Sequence, residues 1–425
     1  MKHTVEELEL KNGARGLLID VPGASVMSYQ FHFRAGYRFV RDKTVYETAH
    51  IMEHMAFGAN SQFKDGHAYE GEFTRNGAYH NAYTSDYSMV YVSDCADFEW
   101  DRILDLKRVA IAEPKFNQEE LDAESGNVKS ELTGYLNVHP RVLWRRITKE
   151  LGEDVLTYKE SLDTISNVSL GDIKEHYLRT HTTENLRFVI AGNMDGRKKK
   201  IADMLESWKL DRGNRLLIPV DELHGSEPLL IKRKESSNLT FGWSMTMPRR
   251  LSDEELDAMA CVNHILTGTL HSRILGKARK RGLAYHAFSD TSAYEHNSSW
   301  DFGAQANIDN LDPLFDIIVR EVKAVLGGEI TDEEIESAKS YALGKHQMSC
   351  QTVGQINNWY ADRYFFDGFI EDYEKRPEAI RSVTKEKLVS TAQEFIDANC
   401  WIFGSIGSAE KEIVNKLNEK LRELF

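Results

Sequence analysis

Within five consecutive residues, His50-Ile51-Met52-Glu53-His54, the chain places two imidazoles and a carboxylate. On an α-helix, residues four apart lie about 40° from each other around the axis, so His50 and His54 present ring nitrogens to one ion. Glu53 borders the same face, while Val45, Ala49, Met52 and Ala56 form a separate apolar stripe suited to packing inward. Two imidazoles and a carboxylate, with one position left open, are the ligand set of a catalytic zinc ion. The carboxylate ligand is missing from this segment. Further along, Glu124 and Glu131 stand seven residues apart and share one face of a helix.

These residues need a scaffold, and the chain is long enough for more than one domain. It has 425 residues, 41% hydrophobic and 28% charged, the balance of a globular protein. Its net charge of −14 argues against a nucleic-acid partner, which calls for a basic face. No apolar run reaches the length of a membrane span, and the opening MKHTVEELELKNG has no apolar leader, so the expectation is a cytoplasmic chain without membrane association. Cys95, Cys261, Cys350 and Cys400 are widely scattered and read as free thiols.

Alternating segments GLLIDV, SVMSYQFHFRAG and NAYTSDYSMVYVSD read as strands. Helices are expected over Thr44–Phe57, Trp100–Ala112 and Asn117–Leu136, then a helix-rich stretch leads to the strand LRFVIAG. Residues 211–226 show no period and carry one Pro and two Gly, which marks a linker between domains at 1–210 and 227–425. The second half repeats the plan. PLLIKR, NLTFGWSMTMP and WIFGSIG answer GLLIDV, SVMSYQFHFRAG and LRFVIAG, and Asn117 with Glu120 is matched by Thr331 with Glu334 as capping boxes. His264-Ile265-Leu266-Thr267-Gly268 echoes His50–His54 without its Glu and second His. The expected fold is α+β: two similar domains, each a mainly antiparallel sheet packed with helices on one side, the first keeping the chemistry.

With Glu124 and Glu131 beside the inverted motif, the sequence resembles the pitrilysin/insulinase family of zinc peptidases, the inverzincins. Asn81-Ala82-Tyr83-Thr84-Ser85 is similar to the family's N-A-[FY]-T-S edge strand, and Arg281-Gly282-Leu283-Ala284-Tyr285 to its R-G-L-A-Y segment. The resemblance spans nearly the whole chain, in order. It implies one Zn²⁺ held by His50, His54 and Glu131, with Glu53 as general base and Glu124 supporting the site from one layer out. Asn81, Ala82 and Tyr83 are expected to bind extended peptide by adding a strand to a sheet edge. Tyr285 is expected to steady the oxyanion.

One position departs from the family. The arginine usually found seven residues before the tyrosine is replaced by Ala278, with Arg279 next to it. Family members of this length close their chamber by pairing two chains, so a homodimer or a heterodimer with a chain supplying an Arg/Tyr pair is implied. The function implied is hydrolysis of short, unfolded peptides. The alternative is a non-catalytic or partner-dependent subunit of the same fold, against which an intact Glu53 speaks. A shorter zinc enzyme carrying the same motif, such as an S-ribosylhomocysteine lyase, would need neither the duplicated half nor Glu131.

Overall fold

Alternating apolar and polar positions in the first half become six strands in the computed structural model, which describes residues 1–425. They are β1 (Thr4–Glu9), β2 (Arg15–Asp20), β3 (Val26–Phe33), β4 (Tyr79–Thr84), β5 (Met89–Ala96) and β6 (Leu186–Gly192). They form one sheet in the order β1-β2-β6-β3-β5-β4, antiparallel throughout except for β2 with β6. The second half supplies β7 (Leu229–Lys232), β8 (Asn238–Met247), β9 (Ala287–Ala293), β10 (Ser298–Asn307) and β11 (Cys400–Gly407). Their order, β7-β11-β8-β10-β9, repeats that of β2 to β6 strand for strand, again with a single parallel pair. The fold is α+β, as the pattern indicated; the segment LAYHAFSDTS, which alternation reads as a strand from Leu283, joins the sheet only from Ala287.

The expected boundary needs correcting. One compact unit comprises Met1–Gly134, Tyr158–Pro219 and Met348–Glu371, the other Tyr135–Thr157, Val220–Gln347 and Asp372–Phe425. A single cut across residues 211–226 misses this exchange, though no helix or strand lies there. The reason is that each sheet is covered on two faces. In the first unit Tyr29, Phe31 and Phe33 of β3 point to one side, where the Tyr29 hydroxyl donates to Trp100 O and Phe31 packs on Trp208. Ser28, Gln30 and His32 point to the other, where the helix Val353–Asp367 lies. Asn357, fully buried there, donates to Ser28 O (2.9 Å) and Val189 O (3.1 Å), and Phe365 packs on His32. In the second unit the helix His139–Glu150 docks Leu143 and Ile147 on Ile402 and Ile406 of β11. The approach is so close that a Cβ on Gly404 would stand 2.7 Å from Ile147 Cγ1.

Two helix starts differ from expectation. The first helix runs only Thr48–Met55, after a 3-10 turn at Lys43–Val45, so Val45 leaves the apolar stripe and Ile51 and Met55 join Ala49, Met52 and Ala56 in the interior. Thr331 and Glu334 form a reciprocal capping box at Asp332–Met348. At Gln118–Tyr135, Asn117 caps the Glu120 N–H, but the Glu120 carboxylate accepts from Ala59 N at 2.6 Å. That bond ties this helix to the turn leaving Thr48–Met55. All four cysteines are free thiols. No helix is long and apolar enough to cross a membrane.

Candidate metal centre

The helix Thr48–Met55 is buried along almost its whole length, packing against β4 and the helix Leu170–Thr180. His50 and His54 leave it on one side, ring centroids 5.0 Å apart. Gln118–Tyr135 brings its glutamates to the same place. One oxygen of Glu131, Oε2, lies 3.5 Å from His50 Nε2 and 3.6 Å from His54 Nε2. Ligands 2.0–2.2 Å from a tetrahedral zinc are about 3.3 Å from one another, so these separations fit an ion among the three atoms. Glu53 completes the cluster: one carboxylate oxygen and the two imidazoles all lie within 4.8 Å of one another. The residues present fit zinc by number, type and spacing.

The other imidazole nitrogens are engaged as well. His54 Nδ1 is 3.0 Å from Glu124 Oε2, which also accepts from Asn127 Nδ2. His50 Nδ1 is 3.1 Å from Glu47 Oε2. Carboxylates at both Nδ1 atoms favour the tautomer that leaves Nε2 free for a metal. Sequence reasoning found Glu124 but missed Glu47. The signal was present three residues before His50, within one helical turn, yet a Glu at a helix start ordinarily reads as solvated.

Electrostatics follow from this crowding. Burial opposes the charged imidazoles, but contacts with Glu131 and Glu47 outweigh it and raise His50 to about 9. At His54, Glu124, Glu131 and Glu53 overcome burial and raise the pKa to about 10. Burial pushes the Glu53 carboxyl above the usual carboxylate range, opposed by the two imidazoles and by Thr84, whose Oγ1 donates to Glu53 Oε2 at 3.3 Å. The His54 hydrogen bond draws Glu124 below that range. A buried carboxylate with raised proton affinity beside a metal set suits proton transfer.

The Asn81–Tyr83 segment belongs to β4, the strand at the edge of its sheet. Its side chains divide between two faces. Thr84 reaches Glu53, and His80 packs on Phe57 beyond the metal helix. Ala82, on that same side, is buried. Asn81 and Tyr83 point to the opposite face, where with Tyr79, Asn358 and Asp362 they line a groove of about 480 Å³. The three residues expected to act together therefore do not share a face. Tyr285 belongs to the second unit and is 84% exposed. Ala278 is fully buried, and Arg279 takes the place beside the tyrosine, its guanidinium 4.1 Å from the ring centroid and Nη1 donating to Tyr285 O.

Two family models match, insulinase (peptidase family M16) over residues 35–153 and the peptidase M16 inactive domain over 167–341. The chain belongs to the insulinase family. The metal cluster and all of β4 lie in the first match, and Tyr285 in the inactive-domain match. Among its relatives, an uncharacterised zinc protease of Streptomyces coelicolor is 23% identical over 374 residues, 84% of this chain and 79% of that protein. A non-peptidase homologue from Helicobacter pylori is 24% identical over 216 residues, 48% of each chain. The crystal structure of a Helicobacter pylori protease superposes with a TM-score of 0.82 at 18% identity, covering 95% of this chain and all of that one. The family thus holds members named for proteolysis and one named for its absence, and residues must decide.

Proposed function

We propose that this chain is a zinc-dependent peptidase acting on short, extended peptides. The carrying observation is the single Glu131 oxygen lying 3.5 and 3.6 Å from the two histidine Nε2 atoms, with the Glu53 carboxylate alongside. His50, His54 and Glu131 would hold the ion, which when bound acidifies water and polarises a carbonyl. Glu53 takes a proton from the attacking water as the new C–O bond forms. It returns that proton to the amide nitrogen as the C–N bond breaks. Glu124 holds His54 by its Nδ1. The β4 edge binds the peptide backbone, which selects chains that can be drawn out, and the groove beside Asn81 and Tyr83 receives side chains from one face of that strand. Two chains pair to enclose the peptide, the partner chain supplying an Arg/Tyr pair that steadies the oxyanion.

The alternative, a non-catalytic subunit, gains weight from the non-peptidase relative and loses it to the retained Glu53 and Glu131. The test is cleavage of a quenched fluorescent peptide library by the purified chain, before and after chelation and after zinc is restored. Cleavage that chelator abolishes and zinc restores is the expected result. Cleavage that survives chelation contradicts the zinc chemistry, and zinc-loaded chain that cuts nothing establishes the scaffold.

A further inference from the structure

We propose that Glu47 is a positioning residue of the metal site, acting through His50. The inference rests on the zinc reading above. Glu47 occupies the N-cap of Thr48–Met55, where its side chain makes no capping bond, and glutamate is not among the residues favoured there. Helix initiation therefore does not explain it. Packing does not explain it either, because a carboxylate only 1% exposed is costly to bury unless a charged or hydrogen-bonding group meets it. That group is His50 Nδ1, at 3.1 Å.

The consequence falls on the opposite side of the ring. A carboxylate at Nδ1 keeps the proton there, leaves the Nε2 lone pair directed at Glu131 and His54, and makes that nitrogen a stronger donor. His54 receives the same service from Glu124, which comes from another helix and is partly exposed. Glu47 differs in being buried and fixed one turn from its histidine.

The second half of the chain offers an internal comparison. There His264 stands at the place of His50, while Thr267 and Gly268 replace Glu53 and His54. Cys261 stands where Glu47 would be, and His264 Nδ1 is buried without a hydrogen-bond partner. Where the metal set is gone, the carboxylate behind the histidine is gone with it.

The experiment is zinc affinity, measured by competition with a chelating dye on wild-type chain, Glu47→Gln, His50→Gln and the double variant, with thermal unfolding of the zinc-free proteins beside it. Glu47→Gln should weaken zinc binding about 10- to 100-fold, and should weaken it no further once His50 is Gln. Should Glu47→Gln not fold, Glu47→Asp serves instead, with a loss expected because its carboxylate falls short of Nδ1. A variant that unfolds at lower temperature yet binds zinc as tightly as wild type makes Glu47 merely structural and overturns the proposal. An additional loss in the His50→Gln background, equal to that in wild type, overturns it too. Wild-type chain that binds no zinc fails the metal reading itself, a separate result.

Discussion

Without zinc, the carboxylates of Glu47, Glu53, Glu124 and Glu131 crowd His50 and His54 and favour their imidazolium forms. A zinc ion carries the charge of two protons, so binding it exchanges one for the other and leaves the site's net charge unchanged. With His50 near 9 and His54 near 10, zinc binding at pH 7 should release about two protons per ion. Calorimetric titration in buffers of different ionisation enthalpy reads that number, and a release near zero contradicts it. The same shifts set the sign of stability against pH. Each histidine binds its proton more tightly folded than unfolded, so its contribution is complete below about pH 6.5 and is lost as pH rises through about 9 to 10. Zinc-free protein should therefore unfold at falling temperature between pH 7 and 10. At this scale His50, Glu53 and His54 were legible because helical spacing alone aligns them. Glu131 needed the family resemblance, since no local rule joins residues on separate helices. Glu47 was illegible, because its meaning lies in its burial.

Most strands were plain at the scale of elements, because alternation reports which residues face a core, but β1, largely exposed at the sheet edge, was not read as a strand. Which helix covers which sheet was not plain either. His139–Glu150 and Val353–Asp367 each show an inward face, and nothing in an amphipathic pattern names the surface it meets. Ile147 is the measure of the first: it is 1% exposed, and Gly404 and Gly242 leave it room against the sheet. Ile147→Ala should cost about 2–5 kcal/mol in denaturant unfolding. A loss under about 0.5 kcal/mol would mean that this helix does not hold its sheet. The division of β4 was also hidden until Thr84 was seen on Glu53, which fixes Asn81 and Tyr83 to the other face.

For the whole molecule, the exchange of segments makes the linker a poor place to cut. A fragment ending at Pro219 contains the first sheet and all of His50, Glu53, His54 and Glu131, but lacks Met348–Glu371. Asn357 would no longer donate to Ser28 O and Val189 O, and the face bearing Gln30 and His32 would meet water. Such a fragment should lack cooperative unfolding by calorimetry, and a sharp transition equal to that of the full chain would contradict the assignment of the helix Val353–Asp367 to the first sheet.

In the proposed reaction Glu53 does chemistry beside a metal it does not hold. This role is tested most directly by measuring zinc content and peptide cleavage together on wild-type chain and Glu53→Gln. One zinc per chain in both, with cleavage by the variant reduced at least about 100-fold, is the expected result. A zinc-loaded Glu53→Gln that cleaves peptides at the wild-type rate would contradict it.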